Sequence, residues 1–210
     1  MSAPAPLRLL VATTNSGKRR EIRGILGGLD LSLLTLADFA PTAEPEETGS
    51  TFVANARIKA LAYAAATGEL TVAEDSGLEI DALDGEPGVR SARFNGESYE
   101  EKFTTIRRML AERGVTSSTA RFVCALALAR GDEIVWETTG AVEGRVELPP
   151  RGEAGFGYDP IFHYPPYGCT LAEVDGARKA AVSHRGAAFR ALRGYLASPG
   201  APAASISAAP

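Results

Sequence analysis

The first third of the chain alternates apolar runs with helical patterns, and this alternation most narrows the choice of fold. Residues 7–13 (LRLLVAT) form a continuous apolar run, which is typical of a strand buried on both faces. Residues 17–28 (GKRREIRGILGG) carry apolar side chains at helical spacing and end in two glycines, and residues 31–36 (LSLLTL) can form a second strand. This order of strand, helix and strand predicts a βαβ unit and therefore an α/β fold.

The remaining patterns predict further strands and helices around a single domain. We expect helices over residues 50–68, 98–114 and 184–197, short strands over 70–75 and 78–83, and longer strands over 120–130 and 133–148. A βαβ start followed by several strands favours a mixed sheet. Residues 1–6 and 197–210 are rich in Ala, Pro and Ser, so we expect flexible tails around one domain over residues 7–196.

Composition excludes several classes of protein. The net charge of −4 argues against a general nucleic-acid binder, although local positive groups can still bind a small anionic substrate. The two cysteines form no CxxC pair, so a disulfide framework, a zinc site and a redox site are all disfavoured. No apolar run reaches the length of a membrane span, and the N-terminus lacks a signal-peptide pattern, so we expect a cytoplasmic protein without a membrane partner.

Residues 12–18 (ATTNSGK) link the first predicted strand to the first predicted helix. Backbone N–H groups at a helix N-terminus can bind anions, residues 13–16 add polar side chains, and Lys18 adds a positive charge. The segment is not a Walker A loop, because Ala12 and Arg19 stand where that motif requires Gly and Ser or Thr. Both a phosphate-binding loop and a simple capped turn fit this pattern.

Acidic residues precede the second long helical pattern. Glu46 and Glu47 lie just before it, and the helix dipole stabilises acids in that position, so capping is a sufficient explanation. On the helix itself, Asn55 and Lys59 are four residues apart and therefore share a face. An exposed lysine is usually just solvated, but a lysine beside an asparagine and an acidic segment is also consistent with a binding site.

The stretch VAEDSG brings Glu74 and Asp75 to the end of an apparently buried strand. An ionised carboxylate is costly there unless it has a cation partner, takes up a proton or binds a metal. Carboxylate oxygens suit Mg²⁺, which is often held by one or two acids together with substrate phosphates. Glu47 and Asp75 could therefore hold Mg²⁺ and a triphosphate, with Ser76 and Gly77 close to the ligand; the alternative is an Asp-Ser-Gly turn that ends the strand.

Two later segments carry aromatic and basic side chains. GFGYDPIF (155–162) can place a ring against a base with Asp159 near the edge of that base, or it can be a packed turn with Phe156 and Tyr158 in the core. ARKAAVSHRG (177–186) gathers donors and positive charge at the start of the last predicted helix, through Lys179, His184 and Arg185. A catalytic triad is disfavoured, because no G-x-S-x-G motif is present.

Taken together, five stretches resemble the inosine triphosphate pyrophosphatase family, also called dITP/XTP pyrophosphatases. They are VATTNSGKRREI, EETGSTFVANARIKA, VAEDSGLEIDALDGEPGVRSARF, GFGYDPIF and KAAVSHRG, and they follow the family order over residues 11–186. The resemblance implies an elongated α/β fold of two lobes, with a central mixed sheet flanked by helices and the active site in the cleft between the lobes. It also implies a homodimer and Mg²⁺-dependent hydrolysis of ITP, dITP and XTP to the monophosphate and pyrophosphate.

The resemblance also assigns roles to individual residues. Asp75 is implied as a Mg²⁺ ligand and as the proton acceptor for the attacking water, with Glu47 or Glu46 as the second acid on the metal. The residues implied to bind the substrate are Thr13, Thr14, Asn15, Ser16, Gly17, Lys18, Lys59, Ser76, Phe156, Gly157, Tyr158, Asp159, Lys179, His184 and Arg185. The chain departs from the family pattern at Thr14, Ala54, Glu74 and Arg90, where the family usually has Gly, Glu, Asp and Tyr.

Three other functions stay open at this point. A pyrophosphatase of the septum-inhibitor-like type would share the fold but prefer pyrimidine or modified nucleotides. A nucleotide-sensing module would bind ITP with Mg²⁺ without releasing pyrophosphate. A P-loop NTPase would release orthophosphate from ATP, and the incomplete Walker pattern disfavours it.

Overall fold

The computed structural model describes residues 6–198 and shows a seven-stranded sheet in the order β2-β1-β3-β4-β5-β6-β7. The strands are β1 (Leu7–Val11), β2 (Leu31–Thr35), β3 (Thr71–Ile80), β4 (Ser117–Arg130), β5 (Glu133–Glu147), β6 (Phe162–Tyr164) and β7 (Cys169–Thr170). The helices are α1 (Ser16–Leu26), α2 (Phe52–Thr67), α3 (Tyr99–Glu112), α4 (Gly176–Val182) and α5 (His184–Leu196). Within the described residues, no helix is both long and apolar enough to span a bilayer.

The sheet contains both parallel and antiparallel pairs. Strand β1 pairs parallel with β2 and with β3, whereas β6 pairs antiparallel with β5 and with β7. The parallel part follows from the βαβ start of the chain, in which α1 joins β1 to β2 and α2 joins β2 to β3. The predicted α/β class, with a mixed sheet flanked by helices, is therefore confirmed.

The contacts divide the chain into two compact units. Among the described residues, the first contains residues 6–74, Ala125–Thr138 and residues 188–198, and its buried residues include Leu10, Ile22, Ala60, Val72 and Leu128. The second contains Asp75–Cys124 and Thr139–Ala187, and its core includes Leu78, Phe103, Ile106, Phe122 and Phe162. Strands β3, β4 and β5 each contribute residues to both units. The predicted tails, 1–6 and 197–210, lie outside the described residues apart from Pro6, Ala197 and Ser198.

The prediction of two short strands over 70–75 and 78–83 is wrong, because Thr71–Ile80 is one continuous strand. The stretch VAEDSG therefore contains no turn. The Ser91 hydroxyl contacts the strand here: it accepts a hydrogen bond from the Leu78 N–H at 2.9 Å and donates one to the Gly88 carbonyl at 2.6 Å. A Cβ on Gly77 would lie 2.3 Å from the Ser91 Oγ, so a glycine is needed for this approach.

We expect Gly77→Ala to lower the free energy of unfolding by about 3 kcal/mol, at the upper end of overpacking costs. The added methyl would also lie 2.6 Å from the Gly88 carbonyl oxygen, which is backbone and cannot rotate away. Gly194→Ala in α5 is the matched control, because no atom lies within 4 Å of the added methyl there. We expect the control to be neutral or slightly stabilising in a urea titration. Equal stability of the two variants would contradict the close approach at Gly77.

Candidate active site

The loop between β1 and α1 is a capped turn. The Asn15 side-chain oxygen accepts a hydrogen bond from the Lys18 N–H at 3.0 Å, and the Thr13 hydroxyl oxygen accepts one from the Asn15 N–H at 3.3 Å. Thr14, Asn15 and Ser16 are exposed at this end of α1. The cap satisfies one of the free N–H groups of the helix, and the exposed polar side chains leave phosphate binding as a prediction.

An ion pair explains the first of the two adjacent acids in VAEDSG. The Lys18 ammonium nitrogen lies 2.7 Å from a carboxylate oxygen of Glu74, whose side chain is only 2% exposed. Such a carboxylate needs a cation, because an unpaired buried charge costs several kcal/mol. From the sequence, Lys18 is predicted to contact phosphate. The structure shows that Lys18 also forms an ion pair with Glu74, and both residues belong to the first unit.

The second acid, Asp75, follows Glu74 directly on β3 and is 7% exposed. Adjacent side chains on a strand point to opposite faces, so the two carboxylates do not share one face. Asp75 is the first residue of the second unit, and Glu74 is the last residue of the first unit along this strand.

The segment before α2 carries a second pairing of an acid with a lysine. A Glu47 carboxylate oxygen lies 2.5 Å from the Lys59 ammonium nitrogen, and both side chains are largely buried. The buried Asn55 side chain fixes this segment by accepting a hydrogen bond from the Gly49 N–H at 2.8 Å. Glu46, in contrast, is exposed. Of the two glutamates, Glu47 is therefore the one held in place beside a cation.

In the second unit, the turn GFGYDP is folded around the side chain of Asp159. One Asp159 carboxylate oxygen accepts a hydrogen bond from the Phe156 N–H at 2.8 Å and from the Lys179 ammonium at 2.6 Å. The side chains of Asp159 and Lys179 are 3% and 4% exposed. Gly155 has φ +74°, and a Cβ there would lie 2.2 Å from the same carboxylate oxygen, so the turn requires this glycine.

Two cations lie against the Phe156 ring. The Lys179 ammonium is 4.2 Å from the ring centroid and the Arg185 guanidinium carbon is 5.5 Å from it. Arg185 is buried at the start of α5, and it donates a hydrogen bond to the Ser76 hydroxyl oxygen at 3.1 Å. Cations are attracted to the electron-rich face of an aromatic ring. The N–H groups of these two side chains can also donate hydrogen bonds to a carbonyl group of a ligand. The structure thus brings Ser76, Phe156, Asp159, Lys179 and Arg185 together.

Tyr158 and His184 lie in the interior. The Tyr158 hydroxyl donates to the Ser91 carbonyl oxygen at 2.8 Å, and burial, with a smaller contribution from Tyr99, raises the pKa of this phenol far above its usual value. The buried His184 ring stacks on Phe122 with centroids 4.8 Å apart. The core alternative therefore holds for Tyr158, and substrate contact by either residue stays a prediction.

The sequence interpretation missed Tyr99 at this site. The Tyr99 ring lies edge-on to Tyr158 with centroids 5.3 Å apart, and a Cβ on Gly157 would lie 3.5 Å from the Tyr99 hydroxyl oxygen. Burial, and then the charge of Asp159, raise the pKa of Tyr99, although 40% of the residue is exposed. The sequence places Tyr99 at the first position of a helix, so no local signal connects it to residue 157.

The acids present suit magnesium bound together with a phosphate ligand. Among the described residues, no group of three or more His, Cys, Asp or Glu side chains could hold a metal ion. Mg²⁺, however, is commonly held by one or two carboxylates, with phosphate oxygens and water completing its ligands. Asp75 and Glu47 are carboxylates of this kind, and both are recessed from solvent. Each acid taken alone therefore offers the kind of ligand that Mg²⁺ takes together with nucleotide phosphates, and an ion shared by the two stays a prediction.

Comparison with known proteins gives close relatives over nearly the whole described chain. Residues 9–195 match the Ham1 family model. The chain is 45% identical over 190 residues to a dITP/XTP pyrophosphatase of an Exiguobacterium species, covering 90% of this chain and 97% of the relative. It is 47% identical over 188 residues to a dITP/XTP pyrophosphatase of Thermus thermophilus, covering 89% and 90% of the two chains.

Solved structures agree with the sequence matches. A Ham1 protein from Coxiella burnetii superimposes with a TM-score of 0.84 at 39% identity, covering 90% of this chain and 98% of that one. The Ham1 protein of Staphylococcus aureus gives a TM-score of 0.80 at 36% identity, covering 90% and 97% of the two chains. At these identities, the shared fold and the sequence matches support the same relationship.

Proposed function

Because the chain belongs to the Ham1 family, we propose that it is a Mg²⁺-dependent pyrophosphatase that hydrolyses ITP, dITP and XTP to the monophosphate and pyrophosphate. Family membership itself makes the chain a nucleotide pyrophosphatase, which is a hydrolase. The observation that carries the proposal is the buried Asp75, which directly follows a glutamate whose charge is already balanced by Lys18. By hydrolysing deaminated purine nucleotides, the enzyme would keep polymerases from using them. The homodimer and the cytoplasmic location stay predictions.

The proposed phosphate-binding residues lie in the first unit. Residues 13–18 offer exposed polar side chains, and Lys18 and Lys59 are each held by a glutamate. Cleavage between the α and β phosphates builds negative charge on the departing pyrophosphate. Preorganised ammonium groups stabilise such charge without reorganising during the reaction. The glutamate partners keep both lysines in place before substrate arrives.

Asp75 and Glu47 would hold the magnesium ion. When bound, Mg²⁺ would neutralise charge on the phosphate oxygens. Asp75 would orient the attacking water and accept its proton, which is the role expected of a general base. Glu47 is proposed over Glu46 because Glu46 is exposed, whereas Glu47 is recessed beside Lys59.

The proposed base-binding residues lie in the second unit. Phe156 offers a ring on which a base can stack, and the donors of Lys179 and Arg185 lie against that ring. His184, the first residue of α5, is a further proposed donor. ITP and XTP have a 6-oxo group, which accepts hydrogen bonds, where ATP has an amine. A buried donor left unpaired costs about 1–3 kcal/mol, so these donors would favour the oxo group over the amine.

The proposal is tested by incubating the purified protein with Mg²⁺ and ITP, XTP, GTP or ATP, and measuring pyrophosphate and orthophosphate separately. We expect pyrophosphate from ITP and XTP, slower reaction of ATP and no orthophosphate. A preference for pyrimidine or modified nucleotides would favour a septum-inhibitor-like enzyme instead. Binding of ITP without any pyrophosphate release would favour a nucleotide-sensing module.

We expect Arg185→Gln to lower the ratio of kcat/KM for ITP to kcat/KM for ATP by about 10-fold or more, because one buried donor bond is worth about 1.4 kcal/mol or more. The ratio does not depend on the fraction of folded enzyme, which matters because Arg185 is buried. Ser76→Ala, at another residue proposed to bind the substrate, is the comparison, since it removes the hydrogen bond to Arg185 but keeps the guanidinium. An unchanged ratio in Arg185→Gln would show that Arg185 does not determine the selectivity for ITP over ATP.

A further inference from the structure

We propose that one exposed face of α1 is a second binding site, which takes a free polyphosphate anion through Arg19, Arg20 and Arg23. None of these three arginines is among the residues proposed to bind substrate and metal, although Ser16, at the edge of the same concavity, is. The anion it fits is inorganic pyrophosphate, and only the origin of that anion, as the reaction product, rests on the proposed function. Binding of added pyrophosphate at these arginines can be tested whether or not the protein hydrolyses ITP.

The N-terminal part of α1 carries more positive charge than a helix favours there, whereas Arg23 in the last turn is in a favourable place. The first turns carry Lys18, Arg19 and Arg20, and the first turn contains no acidic residue. The positive end of the helix dipole lies there, so cations destabilise the helix and an anion stabilises it. Glu74 balances Lys18 only. Local choices that oppose the fold are expected at functional sites, so this arrangement points to an anion supplied from outside.

The arginines lack internal partners and repel one another. Within residues 6–198, the side chains of Arg19, Arg20 and Arg23 form no hydrogen bond or ion pair with the protein. Arg19 and Arg23 are four residues apart, so their like charges are neighbours on the helix surface. A bound anion would remove this repulsion and supply the missing counter-charge.

The arginines line a concavity with room for a small anion. It has a volume of about 470 Å³ and is lined by Ser16, Arg19, Arg20, Arg23 and Gly24, with no acidic residue among them. Gly24 contributes no side chain, and nothing lies within 4 Å of the point where its Cβ would be. The buried residues of α1, Ile22 and Leu26, lie on another face of the helix. The concavity is therefore part of the exposed face of α1.

The chemistry and size of the site select a compact phosphate anion. Guanidinium groups form paired hydrogen bonds with phosphate oxygens, and arginine suits this geometry better than lysine. The three arginines lie within five consecutive residues, so they cover a short length of helix rather than a long strip. With a net charge of −4, the chain as a whole repels an extended nucleic acid. Pyrophosphate, which concentrates several negative charges in two phosphate groups, fits these limits.

The test is calorimetric titration of inorganic pyrophosphate into the full chain, in EDTA and without nucleotide, for three proteins. Arg20→Gln/Arg23→Gln removes two exposed guanidiniums from α1 and leaves Arg19, which adjoins Lys18, in place. Arg107→Gln/Arg108→Gln on α3 is the control for the change in charge on another exposed helix, where Arg108, unlike the α1 arginines, forms an exposed ion pair with Glu112. Glutamine favours helix, so we expect both variants to fold with unchanged melting temperature.

We expect the α1 variant to bind pyrophosphate at least tenfold more weakly than the wild type, while the α3 variant keeps wild-type affinity and both keep the wild-type kcat/KM for ITP. Equal weakening in the two variants would show only long-range charge attraction and would overturn the site. Unchanged affinity in the α1 variant would place the anion elsewhere, such as at residues 13–18, and would also overturn it. A single-stranded oligonucleotide can be added as a competitor of pyrophosphate. If it binds more tightly than pyrophosphate and displaces it, the choice of a compact anion is contradicted. Absence of ITP hydrolysis in all three proteins would refute the proposed function but leave this comparison intact.

Discussion

Asp75→Asn is expected to lower the turnover of ITP by about 10²–10⁴-fold, the range typical of losing a general base. Asparagine has nearly the same shape as aspartate, but it carries no charge and cannot accept the proton of the attacking water at neutral pH. Because Asp75 is also a proposed magnesium ligand, the apparent affinity for Mg²⁺ should fall as well. The measurement is the initial rate of pyrophosphate release at saturating ITP over a range of Mg²⁺ concentrations.

Glu79→Gln is the matched control for this variant. Glu79 lies on the same strand, four residues further on, and carries the same charge in a half-buried position. We expect its turnover to stay within about twofold of the wild type, because its contact with Arg121 is a long surface pair at 3.6 Å. Near-normal turnover in Asp75→Asn at saturating Mg²⁺ would remove Asp75 from the chemistry.

Asp159→Ala is expected to lower the free energy of unfolding by about 3–5 kcal/mol, as is typical when one partner of a buried ion pair is removed. The variant leaves the Lys179 ammonium without this carboxylate in a position that is 4% exposed, and it removes the acceptor of the Phe156 N–H. The turn that carries Phe156 should loosen, so the KM for ITP should also rise. Urea unfolding and steady-state kinetics measure the two effects separately.

Two further variants separate the buried pair from general effects of losing an aspartate. Asp175 caps α4 by accepting a hydrogen bond from the Arg178 N–H at 2.8 Å, and Asp175→Ala should cost only about 1 kcal/mol, the usual value for a cap. Asp159→Leu/Lys179→Met removes both charges of this pair, so it should be more stable than Asp159→Ala. A cost for Asp159→Ala no larger than that for Asp175→Ala would show that the pair contributes little.

Features set by local sequence were predictable. The helix predicted over residues 50–68 is capped by Thr51, which accepts a hydrogen bond from the Ala54 N–H at 3.1 Å, and ends at Gly68 with φ +72°; both residue types are common at these helix ends. The βαβ start and the turn at Gly131 between β4 and β5 were likewise predictable from short patterns. Each of these features depends on residues within a few positions of one another.

Features that depend on distant residues were not predictable from local patterns. Next to Gly77, the Leu78 N–H of β3 donates to the distant Ser91 hydroxyl, and the balance of charge at Glu74 depends on Lys18. Nothing in VAEDSG indicates either partner, so the stretch suggested a turn and two unexplained acids. The short elements β6, β7 and α4 were missed because each has too few residues to show a periodicity. The resemblance to a family, carried by ordered motifs, was what joined these distant segments into one proposed site.

The most direct test of the proposed chemistry is hydrolysis of ITP with Mg²⁺ in water enriched in ¹⁸O, followed by mass spectrometry of both products. Attack of an Asp75-activated water on the α phosphorus would place one ¹⁸O in the monophosphate and none in the pyrophosphate. We expect that result in the wild type, and the same labelling at a much lower rate in Asp75→Asn. Label in the pyrophosphate, or orthophosphate as the released product, would contradict the proposed cleavage.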